Sequence, residues 1–198
     1  DERRAAHETA TQIGARVVEA PTHEGDRTAY RANGPDRCFH CKDELFTVTA
    51  ALAAEHGLTA IAYGENADDV IRPDRPGSRA ATEHGVLRPL ADAGMTKADV
   101  RALAAAWGMP CADKPAAPCL ASRIPHFSEV TPEKLAQVEA AESALRALGF
   151  ADSRVRHHGD VARVELLDAD LPSAVASPVR ELVLGAVRAA GFRFVAID

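Results

Sequence analysis

Helical and strand patterns alternate along this chain, and that alternation restricts it to a small set of folds. Residues 38–56 place Leu45, Val48 and Leu52 at helical spacing and close on Gly57 as a C-terminal cap. Leu58-Thr59-Ala60-Ile61-Ala62-Tyr63 follows as an apolar run of strand length. Residues 1–14 and Arg16-Val17-Val18-Glu19-Ala20 form an earlier helix and strand, ended by Pro21. Parallel strands need crossover connections, usually helices, so this order favours a parallel sheet. Beyond Ser153 the order changes to strand, turn, strand, helix, strand: Ser153 to His157, Val161 to Leu167, a helix within about residues 174–190, and Phe192 to Ile197. With the helix before them these give αββαβ. The expected fold class is α/β, a parallel-sheet domain over residues 1–125 followed by a small α+β domain over 126–198.

Several helices declare their ends. Thr96-Lys97-Ala98-Asp99 has the form of a capping box, and Val100, Leu103, Ala104 and Trp107 fall on one face, which places Trp107 in the core. Thr131-Pro132 marks an N-cap with proline at the first helical position, and Leu135, Val138, Ala141, Leu145 and Leu148 line one face as far as Gly149. Residues 21–36 and Arg72 to Arg79 read as loops rich in Pro, Gly and charge.

At 198 residues and 46% hydrophobic content, the chain can build one sizeable core or two smaller ones. The net charge of −6 supplies no global basic field, so nucleic acid is not an expected partner and any anion site must be local. No run of 18 apolar residues occurs, and Asp1-Glu2-Arg3-Arg4 does not resemble a signal peptide. A cytoplasmic enzyme without a membrane partner is expected. The chain opens directly in helical pattern, without a start methionine or a leading strand, and is expected to be a fragment. Four cysteines are too few for a secreted disulfide framework and point to metal or redox chemistry.

Cys38 and Cys41 have the spacing that lets two thiolates of one turn reach one metal ion or cluster. Cys119 lies in a loop stiffened by Pro115 and Pro118 and is the natural third ligand, with Cys111 as a fourth for a structural zinc or a fully ligated cluster. The same cysteines also suit a zinc knuckle or unmetallated thiols. Gly64-Glu65-Asn66-Ala67-Asp68-Asp69 follows a strand, where open α/β sheets bind ligands, although Asn and Asp also serve as ordinary turn formers. Strand alternation puts Arg154 and Arg156 on one face, and a two- or four-residue turn near His158-Gly159 would add Arg163 and Glu165 to it. Three guanidiniums with one carboxylate suit a phosphate or pyrophosphate; the alternative is a plain polar hairpin face. Gly-rich phosphate loops and the common hydrolase motifs do not occur.

Taken together, Arg37-Cys38-Phe39-His40-Cys41-Lys42, Gly64 to Asp69, Asp113 to Pro125 with its Pro118-Cys119-Leu120-Ala121-Ser122-Arg123 core, and Val155 to Asp160 resemble the LarE-type ATP-dependent sulfur transferases of the PP-loop ATP pyrophosphatase superfamily. The resemblance implies that the first domain is a PP-loop domain. It also implies a small-molecule nucleotide substrate: a carboxylate of a pyridinium biscarboxylate mononucleotide is adenylated by ATP and Mg²⁺, and a sulfur nucleophile then displaces AMP. The thiocarboxylate product feeds the nickel-pincer cofactor of lactate racemase. Cys38, Cys41 and Cys119 match the three-cysteine subtype, which implies a [4Fe-4S] cluster carrying an extra sulfide. Cys119, Arg123 and Glu165 take catalytic roles by this resemblance, while Lys42, Asp68, Asp69, Arg154 and Arg156 bind cofactor or substrate. Cys111 has no assigned role. A homo-oligomer is implied as well. The family's SGGxDS loop is absent from the sequence, so this chain alone is expected not to release pyrophosphate from ATP. A cluster-dependent tRNA thiolase and a non-enzymatic zinc-stabilised module are the competing readings.

Overall fold

Residues 2–71, 76–114 and 117–198 are described by the computed structural model. They separate into two units, residues 1–27 with 35–115 and residues 28–34 with 116–198. Helix and strand are mixed, as an α/β chain requires, and among the described residues the strands form one three-stranded sheet, in the second unit.

The first unit is built on helices α1 (Glu2–Ile13), α2 (Arg37–Glu55), α3 (Pro76–Glu83) and α4 (Lys97–Ala106). Helix α2 ends as its sequence predicts: Gly57 takes φ +65°, and the Leu58 N–H returns to the Ala53 carbonyl at 2.8 Å. Its Phe46 packs with Ala80, Ala81 and Val86, and Phe39, Ile61 and Tyr63 close the cluster. Small residues on α3 permit this approach. A Cβ at Gly77 would sit 2.9 Å from Lys42 Cδ, so glycine is what admits the lysine stem. At the start of α4, the Thr96 hydroxyl accepts from the Asp99 N–H and the Asp99 carboxylate accepts from the Thr96 N–H, the expected capping box.

Four expectations fail in this unit. Residues 58–63 are extended, yet among the described residues they pair only through one parallel bridge, Ala62 to Leu87, and residues 16–20 form no strand. An apolar run reports that side chains suit a sheet; a ladder also needs a partner strand alongside. Trp107 is 67% exposed rather than core, because α4 turns its apolar face to an open groove of about 230 Å³ shared with Ile13, Met95 and Met109. Of the expected loop Arg72 to Arg79, residues 76–79 instead begin a helix at Pro76, where proline costs no helical hydrogen bond; residues 72–75 lie outside the described set. No helix of the described residues is long and apolar enough to cross a membrane.

The second unit keeps the expected αββαβ order, with one short extra helix, Leu171–Val175, after the second strand. Helix α5 (Pro132–Ala147) starts where the Thr131 hydroxyl accepts from the Lys134 N–H at 3.3 Å. Strands β1 (Arg154–His158) and β2 (Val161–Glu165) pair antiparallel; helix α6 (Val179–Ala189) then returns the chain to β3 (Phe194–Ile197), parallel to β2. The order β1-β2-β3 makes β2 central. One sheet face is apolar: Val155, Ala162 and Val164 are fully buried with Val138, Ala141 and Leu145 of α5 and Val183 and Val187 of α6. The opposite face is free to carry charge.

Candidate active site

That charged face follows from register. His158 pairs with Val161, which leaves Gly159-Asp160 as a two-residue turn with Gly159 at φ +65°. Arg154 therefore stands opposite Glu165 and Arg156 opposite Arg163, all pointing away from the core. The Arg156 guanidinium grips Glu165 with Nε and Nη2 at 2.9 and 2.8 Å. Arg163 Nη2 donates to Glu165 Oε1 at 2.8 Å and its Nη1 to Asp198 at 2.9 Å. Hydrogen bonds from Arg156, reinforced by the charges of Arg156, Arg163 and Arg154, hold the Glu165 carboxyl below its usual range against the effect of burial. Three guanidiniums against the carboxylates of Glu165 and Asp198 leave one positive charge in excess. Arg154 makes no hydrogen bond or ion pair among the described residues, and the buried Arg163 Nε lacks a hydrogen-bond partner there. Arg154 keeps its donors for an anion.

The Cys119 loop belongs to the same unit. Cys119 is exposed and precedes the short 3₁₀ turn Leu120–Arg123, in which the Ser122 N–H donates to the Cys119 carbonyl at 2.9 Å. Arg123 is buried, and its fork closes on Glu142 of α5, Nε to Oε1 at 2.8 Å and Nη2 to Oε2 at 3.2 Å. Its Nη1 donates to the Pro118 carbonyl at 2.7 Å and to Ser122 Oγ at 3.1 Å. Glu142 Oε1 also accepts the Val155 N–H at 2.9 Å, tying α5 to β1. From the other side, Arg156 Nη1 donates to the Ser122 carbonyl at 3.0 Å. Cys119, Arg123, Arg154, Arg156 and Glu165 are thus gathered through Ser122 and Glu142, neither of which the sequence reading had singled out. Glu142 left a signal: a lone carboxylate beside the apolar stripe of Val138, Ala141 and Leu145. Of the loop's expected residues, Pro115 and Ala116 lie outside the described set.

In the first unit, Cys38 and Cys41 stand one turn apart at the start of α2, the former exposed and the latter half-buried. Arg37 Nη2 lies 3.9 Å from Cys38 Sγ. Lys42 follows, its ammonium 4.3 Å from the centre of the Tyr63 ring. Glu65, which the Gly64 to Asp69 stretch contains without a role of its own, is buried nearby: the Ser78 hydroxyl donates to it and Arg88 lies 3.7 Å away. Burial works to raise its carboxyl, but the Ser78 hydroxyl and the charges of Lys42 and Arg88 outweigh it and hold its pKa below the usual range. Burial, together with this carboxylate, pushes the Tyr63 phenol upward. Asp69 completes a capping box with Asn66, and Asp68 accepts the Lys97 N–H at 2.8 Å, so both serve helix starts. All four cysteines are free thiols, and within either unit no three described His, Cys, Asp or Glu side chains are gathered as a metal site.

No family model matches the chain. Curated relatives do. It is 38% identical over 197 residues to an uncharacterized protein of Synechocystis sp., spanning 98% of this chain and 72% of that one. It is 33% identical over 189 residues to the pyridinium-3,5-bisthiocarboxylic acid mononucleotide synthase of Lactiplantibacillus plantarum, spanning 96% of this chain and 67% of the synthase. The chain belongs to the LarE family. A third relative, an uncharacterized protein of Methanocaldococcus jannaschii, is 29% identical over 166 residues, which cover 84% of this chain and 64% of the relative. The LarE relation spans both units, so the Cys38 turn and the Cys119 loop both lie within the reach of the alignment in length.

Proposed function

We propose that this chain serves ATP-dependent sulfur transfer to a carboxylate of pyridinium-3,5-biscarboxylate mononucleotide, giving a thiocarboxylate for nickel-pincer cofactor synthesis. The observation that carries the proposal is the relation to the Lactiplantibacillus plantarum synthase, whose name states the bisthiocarboxylate product. In the first step a carboxylate oxygen attacks the α-phosphorus of ATP and pyrophosphate leaves, with Mg²⁺ offsetting phosphate charge. In the second a sulfur nucleophile brings its electron pair to the acyl carbon and AMP departs. The phosphate of the mononucleotide is assigned to Arg154, on a face that Glu165 holds in shape by gripping Arg156 and Arg163. Lys42, over the face of the Tyr63 ring, is assigned to the nucleotide of the adenylation step.

The donor set fits a cluster of the three-cysteine kind: three free thiols, two of them one helical turn apart and one on a braced loop. Bound by Cys38, Cys41 and Cys119, a [4Fe-4S] cluster would supply an iron with an open position for an exogenous sulfide. Titration calorimetry with pyridinium-3,5-biscarboxylic acid mononucleotide tests the substrate assignment. Removing one charged donor pair to phosphate weakens binding about tenfold, so Arg154→Ala is expected to raise Kd by that factor. An unchanged Kd would remove the arginine face from the site.

A further inference from the structure

Arg123 presents a puzzle for any role at the substrate. Its side chain is 6% exposed, and each of its three guanidinium nitrogens already donates: Nε and Nη2 to Glu142, Nη1 to the Pro118 carbonyl and Ser122 Oγ. An anion would have to displace a buried carboxylate to reach it, and the carboxylate left behind would be buried without its partner. The contacts that remain lead to Cys119. The Pro118 carbonyl takes Arg123 Nη1 at 2.7 Å and the Cys119 carbonyl lies 3.5 Å from the same nitrogen, while Arg156 holds the Ser122 carbonyl from the opposite side. Glu142 in turn is fixed by the Val155 N–H, so the brace is anchored in both α5 and β1.

We propose that Arg123 and Glu142 are positioning residues, a buried clamp that fixes the backbone on either side of Cys119 so that its exposed thiol is presented in one orientation. The inference deepens the sulfur-transfer reading and rests on it for its purpose. The clamp itself stands on the loop geometry. A fork on Glu142 fixes the plane of the guanidinium, and that plane aims Nη1 at the loop carbonyls. Lysine keeps the charge but cannot make both contacts.

The test uses reduced, metal-free protein and the variants Arg123→Lys and Glu142→Gln, the second of which keeps an acceptor for the Val155 N–H. Hydrogen exchange read by mass spectrometry is expected to speed about tenfold or more at the amides of residues 119–122, with the amides of Leu145 and Val187 unchanged. Equal acceleration in those core helices would make the pair a general support of the unit and overturn the proposal, as would no change in the loop. Calorimetry with pyridinium-3,5-biscarboxylic acid mononucleotide separates the roles of the arginine: a clamp leaves Kd within about twofold in Arg123→Lys, whereas a substrate ligand weakens it about tenfold. The latter result would also overturn the proposal. If the unsubstituted protein binds no mononucleotide, the sulfur-transfer reading fails while the exchange measurement still decides the clamp.

Discussion

His157 shows how one residue couples fold to pH. It faces the apolar side of the sheet, 5% exposed, with its ring against Phe192. The Gly159 N–H points at Nδ1 (3.3 Å), which makes Nδ1 the acceptor and leaves Nε2–H to donate to Gln137 Oε1 at 3.1 Å. Burial pushes its pKa below the ordinary value of 6.5, helped by the positive charges of Lys134 and His158. The folded state therefore holds His157 neutral while the unfolded chain takes up a proton near pH 6.5. The stability this contributes is complete above pH 6.5 and is lost as pH falls toward the lowered folded pKa. Urea midpoints of the wild-type protein are expected to fall between pH 7.5 and 5.5 more steeply than those of His157→Gln; identical slopes would show that another group carries the dependence. At this scale the sequence was informative where chemistry is local. A period of two puts Arg154, Arg156, Arg163 and Glu165 on one face for a two- or four-residue turn, and the register gives two. The inward turn of Arg123 was not legible, because its partner Glu142 lies 19 residues on in another element.

Elements with strong local punctuation were readable and those that depend on distant partners were not. Helix α5 carries Thr131, Pro132 and Gly149 at its ends and an apolar stripe between, and it forms as expected. Its Leu145 is fully buried among Val155, Val164 and Phe150 in the core of the second unit. Leu145→Ala is expected to destabilise that unit by about 2–5 kcal/mol, the range for a buried leucine that leaves a partly collapsed cavity. Denaturant unfolding followed by circular dichroism measures it, and a loss near zero would mean the site is loosely packed. Residues 58–63, by contrast, have an equally strong apolar run, but pairing is set by what lies alongside, and only Leu87 meets it among the described residues. Trp107 misled for a similar reason: its period is helical, but period does not say whether the face it marks is covered.

At the scale of the molecule, the residues assigned to sulfur chemistry are divided between the two units. Cys38 and Cys41 open a helix of the first, next to Arg37 and Lys42. Cys119 sits in the second, on a loop braced by Arg123 and flanked by the arginine face. Membership of the LarE family spans both, and the cluster proposed for sulfur transfer calls on Cys38, Cys41 and Cys119 together. Anaerobic reconstitution of the purified protein with iron and sulfide tests this most directly. A brown protein with about four iron atoms per chain and absorption at about 400 nm is expected, lost in Cys38→Ala, Cys41→Ala and Cys119→Ala and retained in Cys111→Ala. A colourless protein holding a single tight zinc ion, or a brown colour that survives Cys119→Ala, would contradict it.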